Sequence, residues 1–192
     1  MAHAPTLPSA IGTSYRCAMP FAITLRLDAS SAPSIAALWE ALADAGIDTD
    51  RRALGYPPHV TLAVYGDDAP VEALRAALQD LADGWRALPV AFAGIGIFPA
   101  PSPILWLAPV PTQALLARHA ALLAALPALT PDPHYAACRW TSHVTLSGAL
   151  RDPAAALQTV LPIWQPTPGL LACAELVKFR PVKVLHSQPL PA

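Results

Sequence analysis

The chain has 192 residues, of which 54% are hydrophobic and 13% are charged. This composition excludes an intrinsically disordered chain, which would carry too little apolar surface to form a core. The length predicts one compact domain or two closely packed lobes. The formal net charge of -1 disfavours a protein that coats nucleic acid through a large positive excess, although a small anionic ligand needs only a local positive site.

The chain shows no feature of an exported or membrane-bound protein. It has three scattered cysteines and no C-x-x-C pair, so we expect neither a disulfide framework nor a zinc knuckle. The first residues lack the basic segment and apolar run of a secretory signal. The most apolar helical stretch, 114–126, is too short to span a bilayer. We therefore expect a cytoplasmic protein with no membrane partner.

The predicted elements alternate between helices and hairpin-linked strands. Residues 1–18 are rich in Pro and Ser and predict a flexible N-terminal arm. In the first half, hydrophobic periodicity predicts a strand over 21–28, a helix over 33–45, a loop over 48–58, a strand over 59–65 and a helix over 70–83. In the second half, it predicts strands over 89–98 and 104–108, a helix over 113–126, a loop over 127–135, a strand over 140–147, a helix from the Asp152 cap to about residue 161, and strands over 170–179 and 182–188. This order is typical of an α+β fold with antiparallel sheets.

One tetrapeptide occurs twice, as His59-Val60-Thr61-Leu62 and as His143-Val144-Thr145-Leu146. Each copy falls on a predicted strand, follows a loop, and precedes a glycine and then a helix. Each half of the chain therefore follows the order strand, helix, His-x-Thr strand, helix. This order predicts an internal duplication of one supersecondary unit.

Side chains alternate along a strand, so each motif should turn its polar side chains to one face and its apolar ones to the core. The polar faces predicted in this way are His59, Thr61 and Tyr65 in the first strand and His143, Thr145 and Ser147 in the second. Two such strands across a cleft would present two imidazoles and two hydroxyls to one small anion.

Two histidines and two threonines are suited to cleaving a phosphodiester. Histidine can act as acid or base near neutral pH. A neutral imidazole can therefore take a proton from the attacking oxygen, while a protonated imidazole donates a proton to the leaving oxygen. Threonine hydroxyls can hydrogen-bond the non-bridging oxygens. A metal site is a weaker interpretation, because two histidines are too few for zinc and His119 and His134 are not adjacent to the motifs. We expect no metal and no cofactor.

The duplicated motif resembles the 2H phosphoesterase superfamily, and in particular its 2′-5′ RNA ligase-like members, which are RNA 2′,3′-cyclic phosphodiesterases. The resemblance spans about residues 20–190. It implies an α+β fold in which residues 19–192 form a single bilobal domain, with two antiparallel sheets, flanking helices and pseudo-twofold symmetry around a central cleft. It also implies that His59, Thr61, His143 and Thr145 are the catalytic residues and that no metal is needed.

One departure from the family pattern bears on the substrate. RNA-processing members often continue the second motif with an Ala-Arg pair, whereas Ser147-Gly148 follows Leu146 here. The cation expected beside the phosphate is therefore missing from this position. Together with the near-neutral charge, this difference favours a small phosphoester over a long RNA.

Four further side chains are candidate substrate contacts. Tyr65 on the histidine face and Trp140 before the second motif could stack on a base, although a core aromatic is an equal interpretation for Trp140. Arg139 flanks the second motif and could bind phosphate, or be an ordinary surface arginine. Ser147 shares the predicted face of His143.

The function indicated is metal-independent hydrolysis of 2′,3′-cyclic phosphates on nucleotides or RNA ends. One alternative is a nucleotide- or RNA-binding module without catalysis, although binding alone does not require two proton-transfer groups. Another is reversible 2′-5′ ligation of RNA, the microscopic reverse of cleavage. We expect the partner to be a small anionic phosphoester or an RNA 2′,3′-cyclic phosphate end, with no DNA, and we expect a monomer. The residues leave open which histidine is the base and which is the acid.

Overall fold

The computed structural model describes residues 20–99, 101–148 and 150–192, and the expected N-terminal arm lies outside them. The first half of the chain contains β1 (Phe21–Leu27), α1 (Ala32–Asp44), α2 (Asp50–Leu54), β2 (His59–Tyr65) and α3 (Val71–Ala82). The second half contains β3 (Leu88–Phe98), β4 (Ile104–Pro109), α4 (Gln113–Ala125), a 3-10 turn (Pro133–Tyr135), β5 (Val144–Ser147) and α5 (Pro153–Val160), followed by β6 (Thr167–Lys178) and β7 (Lys183–Pro189). The predicted α+β class is confirmed.

The described strands form one antiparallel sheet in the order β2-β1-β6-β3-β4-β5, and β7 also pairs with β6. The resemblance implies two sheets, but β6 is long enough to join the two halves. Its first residues, Thr167–Leu171, pair with β3, and residues 171–178 pair with β1. The strand order is symmetric about the β6–β3 boundary, and the two motif strands, β2 and β5, lie at its two ends.

The two faces of the sheet have different roles. Along β1, Phe21, Ile23 and Leu25 point into the main core, which also contains the apolar faces of the helices. The alternate residues Ala22 and Thr24 point the other way and line a cavity on the opposite face. Helices α1, α3, α4 and α5 therefore support one face of the sheet, whereas α2 lies on the opposite face, where its residues line part of the cavity.

Two local differences from the predicted elements bear on the site. The segment expected as a loop over 48–58 contains α2, which ends where Gly55 takes the left-handed backbone (φ 65°) that glycine adopts without steric cost. The strand expected from residue 140 begins only at Val144, because the preceding residues fold into a turn in which the Arg139 and Trp140 amides both donate to the Ala136 carbonyl.

Candidate functional site

Each motif strand contains a β-bulge at the same position of its tetrapeptide. In β2, the register moves from Ala63 opposite Ile23 to Thr61 opposite Thr24, so Leu62 has no partner in β1. In β5, the register moves from Ser147 to Thr145 against β4, so Leu146 has no partner. An extra residue in one strand reverses the alternation of side chains beyond it. The bulges therefore end the polar face of each motif just after its threonine.

These bulges correct the predicted faces of Tyr65 and Ser147. Tyr65 is 2% exposed and lies in the core, while its neighbour Val64 takes the place on the cavity. Ser147 is completely buried, and its hydroxyl donates to the carboxylate of Asp48. Neither side chain lines the cavity with the histidines.

The four motif side chains line one cavity even though their strands lie at opposite ends of the strand order. His59 and Thr61 from β2, together with His143 and Thr145 at β5, all contribute to its wall. Because β2 and β5 are the two ends of the sheet path, the sheet must curve to bring them together. The predicted grouping of the four side chains is therefore present.

The two imidazoles are held in the same orientation by equivalent hydrogen bonds. Nδ1 of His59 donates to the carbonyl of Pro57 at 2.8 Å, and Nδ1 of His143 donates to the carbonyl of Thr141 at 2.8 Å. A carbonyl can only accept, so the proton of each neutral ring lies on Nδ1. Nε2 is then the ring nitrogen left to exchange a proton with a ligand.

Burial keeps both imidazoles neutral in the free protein. It lowers the pKa of His59 to about 4, an effect strengthened by the positive charge of Arg51, and it also lowers the pKa of His143. Aromatic rings flank each imidazole: Tyr56 lies 4.7 Å from His59 between ring centroids, and Phe98 lies 5.0 Å from His143. At pH 7, each histidine is therefore ready to accept a proton, and protonation needs a bound anion or a lower pH.

Trp140 does not line the cavity, so it is not in the position that base stacking would require. Its indole donates to the carbonyl of Thr61 at 3.0 Å, and its ring stacks on His119 with 4.3 Å between centroids. In an equivalent contact, the indole of Trp39 donates to the carbonyl of Thr145 at 3.0 Å. Each threonine carbonyl on an edge strand thus takes a donor from the opposite half of the chain. Both tryptophans fix the two motifs relative to each other.

The remaining candidate, Arg139, is exposed and does not line the cavity. Two arginines that sequence reasoning did not select for the site do line it, Arg51 from α2 and Arg180 after β6. The signal that could have revealed Arg51 is the Thr49-Asp50 start and Gly55 end of a short helix. Arg180 carries no comparable local signal.

A buried carboxylate lies beneath His59. Glu175 is 4% exposed and accepts hydrogen bonds from the Tyr56 hydroxyl at 2.6 Å, from Ser187 at 2.8 Å and from Arg26 at 3.1 Å. Burial opposes the charge, but these donors lower the pKa of Glu175. The network fixes Tyr56, whose ring packs against His59.

Within the described residues, no group of three or more His, Cys, Asp or Glu side chains is placed to hold a metal ion. In the same part of the chain, no helix is both long and apolar enough to cross a membrane.

The chain matches one protein family and several solved structures. The model of the 2′-5′ RNA ligase superfamily matches residues 27–178, whereas no curated protein sequence matches. TT0787 of Thermus thermophilus aligns with a TM-score of 0.61 at 16% identity, over 90% of this chain and 98% of that one. LigT of E. coli aligns with a TM-score of 0.55 at 17% identity, over 91% and 99%. The MHV ns2 PDE domain aligns with a TM-score of 0.52 at 16% identity, over 84% and 99%.

These matches confirm the predicted resemblance to the 2H phosphoesterases. At 16–17% identity, the solved structures establish the fold, while the family model covers most of the chain, including both His-x-Thr motifs. The chain therefore belongs to the 2′-5′ RNA ligase superfamily.

Proposed function

We propose that the protein is a metal-independent phosphodiesterase that hydrolyses 2′,3′-cyclic phosphates of nucleotides or RNA ends. The observation that carries the proposal is the convergence of His59, Thr61, His143 and Thr145 on one cavity, with both Nδ1 atoms bonded to backbone carbonyls. Membership of a superfamily of phosphoesterases and ligases supports an enzyme that acts on phosphodiester bonds.

The reaction needs two proton transfers on opposite sides of the phosphorus. One neutral imidazole takes a proton from water through Nε2 as the water oxygen bonds to phosphorus. The other imidazole, protonated, gives its proton to the ribose oxygen whose bond to phosphorus breaks. The product is a phosphomonoester, and each transfer contributes about 10²- to 10⁴-fold in rate. Which histidine acts as base depends on which ester oxygen leaves.

The threonines act on the phosphate itself. As the pentacoordinate transition state forms, charge grows on the non-bridging oxygens, and the hydroxyls of Thr61 and Thr145 can donate hydrogen bonds to them. Loss of one such donor typically lowers kcat by about 10²- to 10³-fold. Two donors, one from each strand, can also orient the phosphate between the imidazoles.

Ligands of a similar protein support a small phosphoester. E. coli LigT has been solved with 3′-AMP, with ATP and with phosphate. A nucleoside 2′,3′-cyclic phosphate consists of a base, a ribose and a phosphate, as 3′-AMP does.

The test is turnover of nucleoside 2′,3′-cyclic phosphates in excess EDTA. We expect full activity under chelation, and its loss in His59→Ala and in His143→Ala, because each removes one proton transfer. His134→Ala is the matched control, since His134 is exposed and does not line the cavity. Turnover that EDTA abolishes and a divalent metal restores would contradict the proposal. Binding without turnover would favour the binding module, and joining of RNA ends without hydrolysis would favour ligation.

A further inference from the structure

Two guanidinium groups lie at a cavity that has no acidic lining residue among those the structure describes. Arg51 is the more enclosed, with a side chain 14% exposed. It pairs through Nη2 with Asp50, while its buried Nε has no hydrogen-bond partner among the described residues. Arg180 is 51% exposed and is held through both terminal nitrogens by the same Asp50. Asp50 pairs with both guanidinium groups, and the charge of Asp48 also raises the pKa of Arg180. Neither carboxylate lines the cavity, whereas both arginines do.

The segment that carries Arg51 is attached to the end of the second motif strand. The carboxylate of Asp48 accepts hydrogen bonds from the Ser147 hydroxyl and from the amide of Gly148, the latter at 3.1 Å. Nη2 of Arg51 lies 3.7 Å from the position that a Cβ atom at Gly148 would occupy. The guanidinium therefore fills the space into which a side chain at position 148 would project.

The free protein needs a fixed cation if it is to hold a phosphodiester at neutral pH. Both imidazoles are neutral there, because burial lowers their pKa values, so neither attracts the anion before it binds. An arginine remains charged at every physiological pH and can donate two parallel hydrogen bonds to phosphate oxygens. Arg180 is less suited to this role, since Asp50 already occupies its donor pair.

We propose that Arg51 binds the non-bridging oxygens of the scissile phosphate and so supplies, from α2, the cation that the second motif strand lacks. The donors left for the phosphate are the terminal Nη1 and the second hydrogen of Nη2, because Asp50 accepts only one hydrogen bond from Nη2. The inference rests on the proposed phosphodiesterase function, since it names the residue that recognises the charge of that substrate. It concerns substrate binding, so the effect should appear in KM more than in the proton-transfer steps.

The test measures binding of inorganic phosphate to the full chain by titration calorimetry, which does not require turnover. Arg51→Gln should weaken phosphate binding by about 10- to 100-fold, the range for a lost charge-assisted hydrogen bond, and raise KM for a cyclic phosphate in the same proportion. Arg52→Gln is the matched control: it is the next residue of α2, exposed, and pairs instead with Glu40 and Asp44. Its phosphate affinity should equal that of the wild type.

A second pair of variants keeps the inference testable if Arg51→Gln is unstable. Arg51→Lys retains the charge but not the planar donor pair, so its affinity should lie between those of the wild type and Arg51→Gln. In the double variant Arg51→Gln/Gly148→Arg, the new side chain starts 3.8 Å from the Asp50 carboxylate and enters the vacated space. We expect it to recover at least part of the phosphate affinity.

The outcomes separate this inference from the proposed function. Equal phosphate affinity in the wild type, Arg51→Gln and Arg52→Gln would overturn the role of Arg51, even if cyclic phosphates are hydrolysed. Failure of the wild type to bind phosphate would overturn it as well. Phosphate binding that depends on Arg51, in a protein that hydrolyses no cyclic phosphate, would support the anion site and overturn the phosphodiesterase proposal alone.

Discussion

His59 and His143 are prepared for proton transfer by the backbone rather than by a carboxylate. Each Nδ1 donates to the carbonyl two residues earlier in the chain. A carbonyl partner fixes the tautomer and the ring orientation without adding the negative charge that would raise the pKa of the imidazole. The two rings are therefore equivalent in tautomer, and the burial of each sets its pKa.

The dependence of activity on pH should reflect the lowered pKa values of the two histidines. Both pKa values are lowered in the free protein, that of His59 to about 4, and kcat/KM reports the free enzyme. We expect a bell-shaped profile of kcat/KM with its maximum below the ordinary imidazole pKa of about 6.5, because one of the two rings must be protonated. The kcat profile should lie at higher pH, since a bound phosphate favours the imidazolium. The two apparent pKa values belong to the pair.

The measurement is a series of initial rates with a cyclic nucleotide between about pH 3.5 and 9, a span that includes both the lowered pKa of His59 (about 4) and the ordinary imidazole pKa, within the range where circular dichroism shows the folded state. The profile of His186→Ala serves as the control, because His186 does not line the cavity. A kcat/KM that rises steadily to an alkaline plateau would contradict acid–base catalysis by two histidines.

At the scale of the strands, the paired bulges decide which motif residues can meet a substrate. Leu62 and Leu146 occupy the same place in the two tetrapeptides, and each is the residue without a partner across the ladder. A bulge allows two successive side chains to face the core, as Leu62 and Ala63 do. The polar part of the cavity face of each strand is thereby limited to its histidine and threonine, and Val64 of β2 adds only an apolar side chain.

The bulge in β2 gives a prediction for Tyr65. Its hydroxyl is buried without a hydrogen-bond partner among the described residues, and burial raises its pKa to about 12. Removal of an unpaired buried hydroxyl is nearly neutral or stabilising. Tyr65→Phe should therefore leave kcat/KM within about twofold of the wild type and leave the free energy of unfolding unchanged or higher.

Activity assays and urea denaturation check this prediction, with Tyr56→Phe for comparison. The Tyr56 hydroxyl donates to buried Glu175, so its loss should destabilise the fold by about 1–3 kcal/mol. A tenfold loss of activity in Tyr65→Phe at unchanged stability would mean that Tyr65 contacts the substrate after all.

Most elements follow from local sequence patterns, and the exceptions have a common cause. Periodicity, turn residues and caps predict the His-x-Thr strands, four of the helices and both hairpins. The Asp152 cap is an example: its carboxylate accepts hydrogen bonds from the amides of Ala154 and Ala155. The bulges depend on the register against a neighbouring strand, which a single strand's pattern does not encode. Likewise, Glu175 and Tyr56 are hydrogen-bonded although they are 119 positions apart in the chain, and no local sequence pattern indicates this contact.

The candidate site likewise contains residues that the sequence predicts and residues that it does not. The repeat predicts the four motif side chains, and all four lie on one cavity. Arg51 is not predicted as a site residue, because its segment has the pattern of a loop and its approach to Gly148 is visible only once the two halves of the chain are folded together. Trp140 is a candidate through its position next to the second motif, but its contact is with Thr61 of the first.

At the scale of the whole molecule, the two motif histidines link stability to pH. Below about 6.5, the unfolded chain binds protons on His59 and His143 that the folded chain does not, because the folded pKa of His59 is lowered to about 4 and that of His143 is also lowered. Stability conferred by a depressed pKa is present above the unfolded value and is lost as the pH falls. We expect the free energy of unfolding to decrease as the pH is lowered from about 7 to about 5.

Urea denaturation at about pH 7, 6 and 5 measures this slope, and His59→Gln should make it shallower because glutamine does not titrate. An identical slope in wild type and His59→Gln would show that His59 titrates normally in the folded state.

The length of β6 has a consequence for motion. Because this one strand pairs with β3 at its start and with β1 and β7 beyond, the two halves share a backbone ladder and cannot rotate apart without breaking it. We therefore expect a substrate to enter without a hinge motion between the two halves, through movement of side chains and short connections around the cavity, such as Arg180 between β6 and β7. Amide exchange along β6 should accordingly be slow and nearly uniform, with both halves opening together in a single cooperative event.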